Sequence, residues 1–162
     1  MKQPALKHLS GLDATFLYLE TPETPMHVGS LHLYALPEGF KGSFHAQVLQ
    51  HMAKRIHLSS IFTSKLAFMP FDLGHPIWVH DDQFDLSRHV RKIGAANMTV
   101  KMAQDMAAKL HGRLIDRSHP LWEFYVFDSI VRTDGSVCAG FYSKIHHAAL
   151  DGKGGTALAN AV

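Results

Sequence analysis

Within seven consecutive residues, His146-His147-Ala148-Ala149-Leu150-Asp151-Gly152, the chain sets two imidazoles, a carboxylate and a glycine where a β-rich run gives way to small residues. A neutral imidazole, with an ordinary pKa of about 6.5, takes a proton from a hydroxyl or thiol near neutral pH and contributes about 10²- to 10⁴-fold to a rate. Successive side chains of an extended strand point to opposite faces. If the strand continues, His147 shares a face with Val137, Ala139, Phe141, Ser143 and Ile145, and His146 shares one with Cys138, Tyr142 and Lys144. Only one of the pair then enters a given pocket. Asp151 either orients His147 or turns away to brace the loop, and Gly152 permits backbone conformations closed to other residues. The plain structural alternative is two surface or hydrogen-bonded histidines at a strand end. Zinc fits poorly, because neighbouring strand residues diverge and neither H-E-x-x-H nor a Cys-His spacing is present. No metal ligand set is expected.

These residues need a frame, and the sequence writes most of one. Ser10 or Asp13 caps a short helix carrying Phe16, Leu17 and Leu19, and Thr21-Pro22-Glu23-Thr24-Pro25 breaks it. Met26 to Leu36, bounded by Pro25 and Pro37, reads as a strand. Phe44, Val48, Leu49, Met52 and Ile56 recur at helical spacing behind Ser43 as N-cap. Ile77-Trp78-Val79 suggests a short strand or an edge. A second helix follows from Val100, Ala103, Ala107, Leu110 and Leu114, with Met102 and Met106 widening its stripe and Thr99 or Asn97 as cap. Two β-rich runs flank Asp134-Gly135, the pattern of a hairpin. A further amphipathic helix begins near Lys153 and reaches Val162 without a capping signal, as though the chain were cut within an element. Strands and helices mix without a βαβ rhythm, internal repeat or low-complexity linker, which predicts one mixed α/β (α+β) unit over residues 1–162.

Composition narrows the function classes. Of 162 residues 46% are apolar and 19% charged, a globular balance. Sixteen Lys and Arg against fourteen Asp and Glu leave a formal charge of +2, too little and too mixed for a nucleic-acid binder. Cys138 is the single cysteine, so an internal disulfide is excluded and a reducing cytoplasm is the expected setting. It reads as a buried, inert thiol. No apolar run approaches the roughly 20 residues that cross a bilayer, so any membrane contact is expected to be peripheral. The 13 histidines are the unusual feature.

The run His146 to Gly152 matches the HHxxxDG motif of CoA-dependent acyltransferases. Three further stretches resemble the bacterial wax ester synthase/diacylglycerol acyltransferase family: Leu12-Asp13 through Leu19-Glu20 with Pro25-Met26-His27-Val28-Gly29; Phe84-Asp85-Leu86 with His89-Val90-Arg91; and Leu110-His111 leading to Pro120-Leu121-Trp122-Glu123. HHxxxDG alone is shared with peptide-synthetase condensation domains and plant acyltransferases; together with the other stretches it is more specific. The resemblance implies a chloramphenicol-acetyltransferase-like fold of two similar domains with the active site in a channel between them. This chain corresponds to the first domain, ending just after the motif, and the second is expected as a missing C-terminal domain.

The resemblance further implies that His147 is the general base and that Asp151 holds the loop, with His146 in the same catalytic motif. The substrates implied are acyl-CoA and a long-chain alcohol or diacylglycerol, without a separate cofactor. The setting implied is cytoplasmic, peripheral to the inner membrane or to lipid inclusions, with no nucleic acid as partner. Pro120, Leu121, Trp122 and Glu123 read as architectural: the proline ends a loop, the tryptophan offers a large buried surface and the glutamate pairs with a basic residue. Met26 and His27 either line the substrate channel or, for His27, form a strand site satisfied by a neighbouring carbonyl. Arg88, Arg91 and Lys92 meet CoA phosphates or a membrane, or belong with Asp81, Asp82 and Asp85 to a solvated mixed surface. Two other functions compete: condensation chemistry on carrier-bound substrates, and a non-catalytic histidine-rich module that binds metal or a partner.

Overall fold

A computed structural model describes residues 7–150. Asp151, Gly152 and the helix expected after Lys153 lie outside the described residues. In chain order the described elements are β1 (Lys7–His8), α1 (Gly11–Leu19), β2 (His27–Ala35), α2 (Phe44–Arg55), β3 (Ser64–Ala67), β4 (Ile77–His80), α3 (Leu86–His89), β5 (Val90–Lys92), α4 (Val100–His111), β6 (Trp122–Val131) and β7 (Val137–His146). Short 3-10 turns join several of them.

The hairpin expected around Asp134-Gly135 forms from β6 and β7. Arg132 and Ser136 close its turn through a 2.9 Å hydrogen bond, and Gly135 adopts φ +80°, where a side chain would be strained. This pair is the centre of a four-stranded mixed sheet, ordered β2-β7-β6-β5, in which β5 runs parallel to β6 and the other pairs are antiparallel. Its two faces are both covered. Trp122, Phe124, Val126 and Phe141 pack with Met52 of α2, whereas Tyr125, Phe127, Cys138 and Tyr142 pack with Ala103 and Ala107 of α4. Burial on both faces is why residues 124–127 read as an unbroken apolar run instead of an alternating one. The result is a mixed α/β fold with helices on both sides of a mixed sheet.

The helix starts follow from side-chain caps: Ser10 accepts from the Asp13 amide, Ser43 from Ala46 and Thr99 from Met102. Thr99, not Asn97, is therefore the cap of α4. Two expectations need correction. The α4 stripe was expected to reach Leu114, but the helix ends at His111, where Gly112 follows and its last carbonyls find a buried lysine. Met102 does not widen the apolar stripe, since it is 47% exposed. Of the two alternatives at residues 77–79, the short strand is the one that forms: β4 is the middle strand of a second, antiparallel sheet ordered β1-β4-β3.

Candidate active site at the end of strand β7

Pairing places the key residues. β2 runs antiparallel to β7, with His27 directly opposite His146. The His146 amide donates to the Leu121 carbonyl at 3.0 Å, so the Pro120-Leu121-Trp122-Glu123 segment anchors the last residue of β7. Beyond His146 the strand does not continue. His147 to Ala149 form a 3-10 turn, and the His147 amide still donates to the Met26 carbonyl at 2.9 Å. The two histidines thus diverge because the backbone turns, a sharper separation than strand parity alone supplies.

The His147 ring lies half-buried against Phe16 of α1, stacked with centroids 4.7 Å apart and planes 17° from parallel. His146 is wholly enclosed. Its Nδ1 accepts the Ala148 amide at 3.0 Å, which leaves Nε2 to carry the proton, and Nε2 faces Glu20 Oε1 at 3.3 Å. Burial pushes the His146 pKa down to about 4, against the pull of the Glu20 carboxylate, so the ring is neutral at physiological pH.

Glu20, the residue that closes α1, is the hub beneath these rings. Oε1 accepts the Met26 amide at 3.0 Å, and Oε2 accepts both Nε (3.2 Å) and Nη2 (2.8 Å) of Arg117. Burial favours the protonated carboxyl, yet the Met26 amide, Arg117 and His146 together hold its pKa below the ordinary value. Arg117 Nη2 also reaches the Leu17 carbonyl at 2.8 Å, tying the same cation to the end of α1.

Of the proposed channel residues, Met26 supplies both backbone groups of this junction. The His27 ring is enclosed; its Nε2 donates to the His111 carbonyl at 2.6 Å, and Nδ1 lies 4.0 Å from Glu20 Oε1. The carbonyl contact foreseen for His27 is therefore present. Burial lowers its pKa despite that hydrogen bond. Next to it, Gly29 is required by close approach. A Cβ there would stand 2.5 Å from Tyr142 Oη and 3.0 Å from His111 Nδ1, two atoms that themselves lie 2.8 Å apart.

Pro120 and Leu121 are buried, and Trp122 donates through Nε1 to the Phe62 carbonyl at 3.0 Å. His89 stacks between Trp122 (4.5 Å) and Phe84 (5.3 Å) and donates from Nδ1 to the Trp122 carbonyl at 2.7 Å. Glu123 meets the buried Lys144 ammonium at 3.5 Å and the Tyr125 hydroxyl at 2.9 Å. Lys144 caps α4, donating to Leu110 O at 2.9 Å and to Arg113 O. Arg91 faces Glu123 at 3.8 Å and Lys92 pairs with Asp128 at 2.7 Å, so these cations belong to a mixed-charge surface. Among the described residues no group of three His, Cys, Asp or Glu side chains is arranged to hold a metal ion.

Phe16, Glu20, Arg117 and Lys144 are site-forming residues that sequence reasoning did not single out. Glu20 lay inside a quoted stretch, and a charged residue directly after an apolar helix is a weak signal. Its partner Arg117 sits 97 residues away in an aperiodic loop, so nothing local joins the two.

Residues 9–162 match the model of the wax ester synthase/diacylglycerol acyltransferase catalytic domain, and the chain belongs to that family. A putative diacylglycerol O-acyltransferase of Mycobacterium tuberculosis is 35% identical over 159 residues, which is 95% of this chain and 30% of that protein. Another from Mycobacterium bovis is 32% identical over 156 residues, covering 94% of this chain and 32% of the relative. The wax ester synthase/diacylglycerol acyltransferase from Marinobacter aquaeolei VT8 superposes with a TM-score of 0.76 at 28% identity, over 94% of this chain and 37% of that one. The starter condensation domain of rhizomide synthetase shares the fold, with a TM-score of 0.66 at 14% identity over 98% of this chain and 36% of its own. The chain thus spans about a third of the length of these relatives.

Proposed function

We propose that this chain supplies the histidine-bearing wall of an O-acyltransferase that moves a fatty acyl group from acyl-CoA to a long-chain alcohol or to the free hydroxyl of a diacylglycerol. The observation that carries this reading is the division of labour between neighbouring imidazoles. His146 is enclosed and bonded inward, whereas His147 stands at the mouth of the turn with one face against Phe16.

His147 acts as general base. Its ring takes the hydroxyl proton as the acceptor oxygen attacks the thioester carbonyl; the tetrahedral intermediate then expels the CoA thiolate, which receives that proton from the imidazolium. One ester forms, one thioester breaks, and neither an acyl-enzyme nor a separate cofactor takes part. The opposite wall of the channel comes from the second, C-terminal domain that the resemblance implies, the chain spanning only about a third of the length of its relatives. Asp151 of the same motif has the role the resemblance implies for it, that of holding the loop. The enzyme works in the cytoplasm, peripheral to the inner membrane or lipid inclusions; among the described residues no helix is long and apolar enough to cross a membrane.

The test is acyl transfer by a family-length protein bearing residues 1–162, with acyl-CoA or an acylated carrier protein as donor and hexadecanol or dioleoylglycerol as acceptor. Ester formed from acyl-CoA supports the proposal. Transfer confined to the carrier-bound donor moves the protein to condensation chemistry and overturns it.

A further inference from the structure

We infer that Glu20, clamped by Arg117, is a positioning residue that sets the turn on which His147 stands; this rests on the reading of His147 as general base. Three independent ties converge from one carboxylate. Through Oε1 it holds the Met26 amide at 3.0 Å, and the Met26 carbonyl in turn receives the His147 amide at 2.9 Å. Through the same oxygen it faces His146 Nε2 at 3.3 Å, which leaves Nδ1 as the acceptor that closes the turn onto Ala148. Through Oε2 it binds Arg117, whose Nη2 also grips the Leu17 carbonyl, one residue from the Phe16 ring that backs His147.

The Glu20 side chain is 0% exposed, so its charge is not a solvated surface feature. A buried ion pair is a weak source of stability, since an apolar replacement of the same shape often does as well. What an apolar group cannot do is accept hydrogen bonds from the Met26 amide and the Arg117 guanidinium at once. A carboxylate here joins α1, the first residue of the β2 side and the last residue of β7, and these are the three elements that meet around the His147 ring. Glutamine fits the space but not the pattern. Each carboxylate oxygen accepts from an N–H, the Met26 amide on Oε1 and the Arg117 guanidinium on Oε2, so an amide nitrogen in either position opposes a donor.

The experiment compares Glu20→Gln, Arg117→Lys, Arg117→Ala and His147→Ala with the unaltered sequence, in a family-length protein bearing residues 1–162. It reads kcat and KM for acyl-CoA and for the acceptor, together with circular dichroism. Glu20→Gln is expected to lower kcat about 10- to 100-fold with both KM values within about twofold, as for a displaced catalytic group in an intact pocket. Arg117→Lys, which keeps a cation beside Glu20, recovers part of what Arg117→Ala loses. In ¹⁵N spectra the His146 ring shows protonated Nε2 in the unaltered protein, and Glu20→Gln shifts that signal. An inactive His147→Ala beside a Glu20→Gln of unaltered kcat overturns the positioning role and leaves the base in place. A fully active His147→Ala overturns the base reading and this inference with it. If Glu20→Gln does not fold, the Arg117 pair decides: equal kcat in Arg117→Lys, Arg117→Ala and the unaltered protein overturns the positioning role.

Discussion

His146 Nε2 and Glu20 Oε1 lie 3.3 Å apart with neither side chain reaching solvent, a neutral ring set beside a carboxylate inside the protein. The burial of His146, which outweighs the pull of Glu20, makes folding sensitive to acid. In the unfolded chain His146 has its ordinary pKa of 6.5, and in the fold burial pushes it down to about 4. The unfolded state therefore binds the proton first. The stabilisation is complete above pH 6.5 and is lost as pH falls through 4. Burial also lowers the pKa values of His27 and His89, which add to the effect in the same direction. The midpoint of urea unfolding should fall steadily from pH 7 to pH 4, and His146→Asn should flatten the curve. A midpoint constant over that range contradicts the buried neutral ring.

Gly29→Ala should destabilise by about 1–3 kcal/mol, the usual cost of overpacking. The new methyl would meet Tyr142 Oη at 2.5 Å. Because that hydroxyl is the nearest obstruction, Tyr142→Phe in the Gly29→Ala background should recover part of the loss. Thermal melts of the two single variants and the double variant measure this coupling, and strict additivity would count against the contact.

Lys144→Met keeps the aliphatic stem and removes the ammonium that caps α4. The Leu110 and Arg113 carbonyls and the Glu123 carboxylate lose their shared donor. A loss of about 3 kcal/mol is expected, at the lower end for breaking a buried charge contact because Glu123 keeps Tyr125 and Arg91. Chemical denaturation gives the value, and a loss below about 1 kcal/mol would contradict the capping role.

Phe16→Leu removes the ring stacked on His147 while leaving the site apolar. Aromatic pairs are worth about 0.5–1.5 kcal/mol beyond their area, so kcat should fall by up to about tenfold with little change in melting temperature. Steady-state kinetics beside a melt separates this from simple destabilisation.

Much of this architecture is legible in the sequence because it is local. Ser43 and Thr99 cap the helices that the apolar spacing announces, and Asp134-Gly135 turns the hairpin. The small β1-β4-β3 sheet is not legible, since its strands have two or four residues each and no period emerges from so few. At the site, the run from His146 to Gly152 announces itself by composition. Its supports do not: Arg117 reaches Glu20 across 97 residues, and Lys144, which parity places beside His146, reads as an ordinary polar position until α4 ends over it. The anchoring of His146, the last residue of β7, likewise depends on a distant group, the Leu121 carbonyl just before β6.

The most direct test of the account is single-turnover acyl transfer by His147→Ala in a family-length protein, with circular dichroism as the check on folding. The backbone bond from residue 147 to the Met26 carbonyl survives this change, so the turn should hold. The predicted result is an unaltered spectrum with the rate of ester formation reduced by about 10²- to 10⁴-fold. Ester formation at the unaltered rate by the folded variant would contradict His147 as the base.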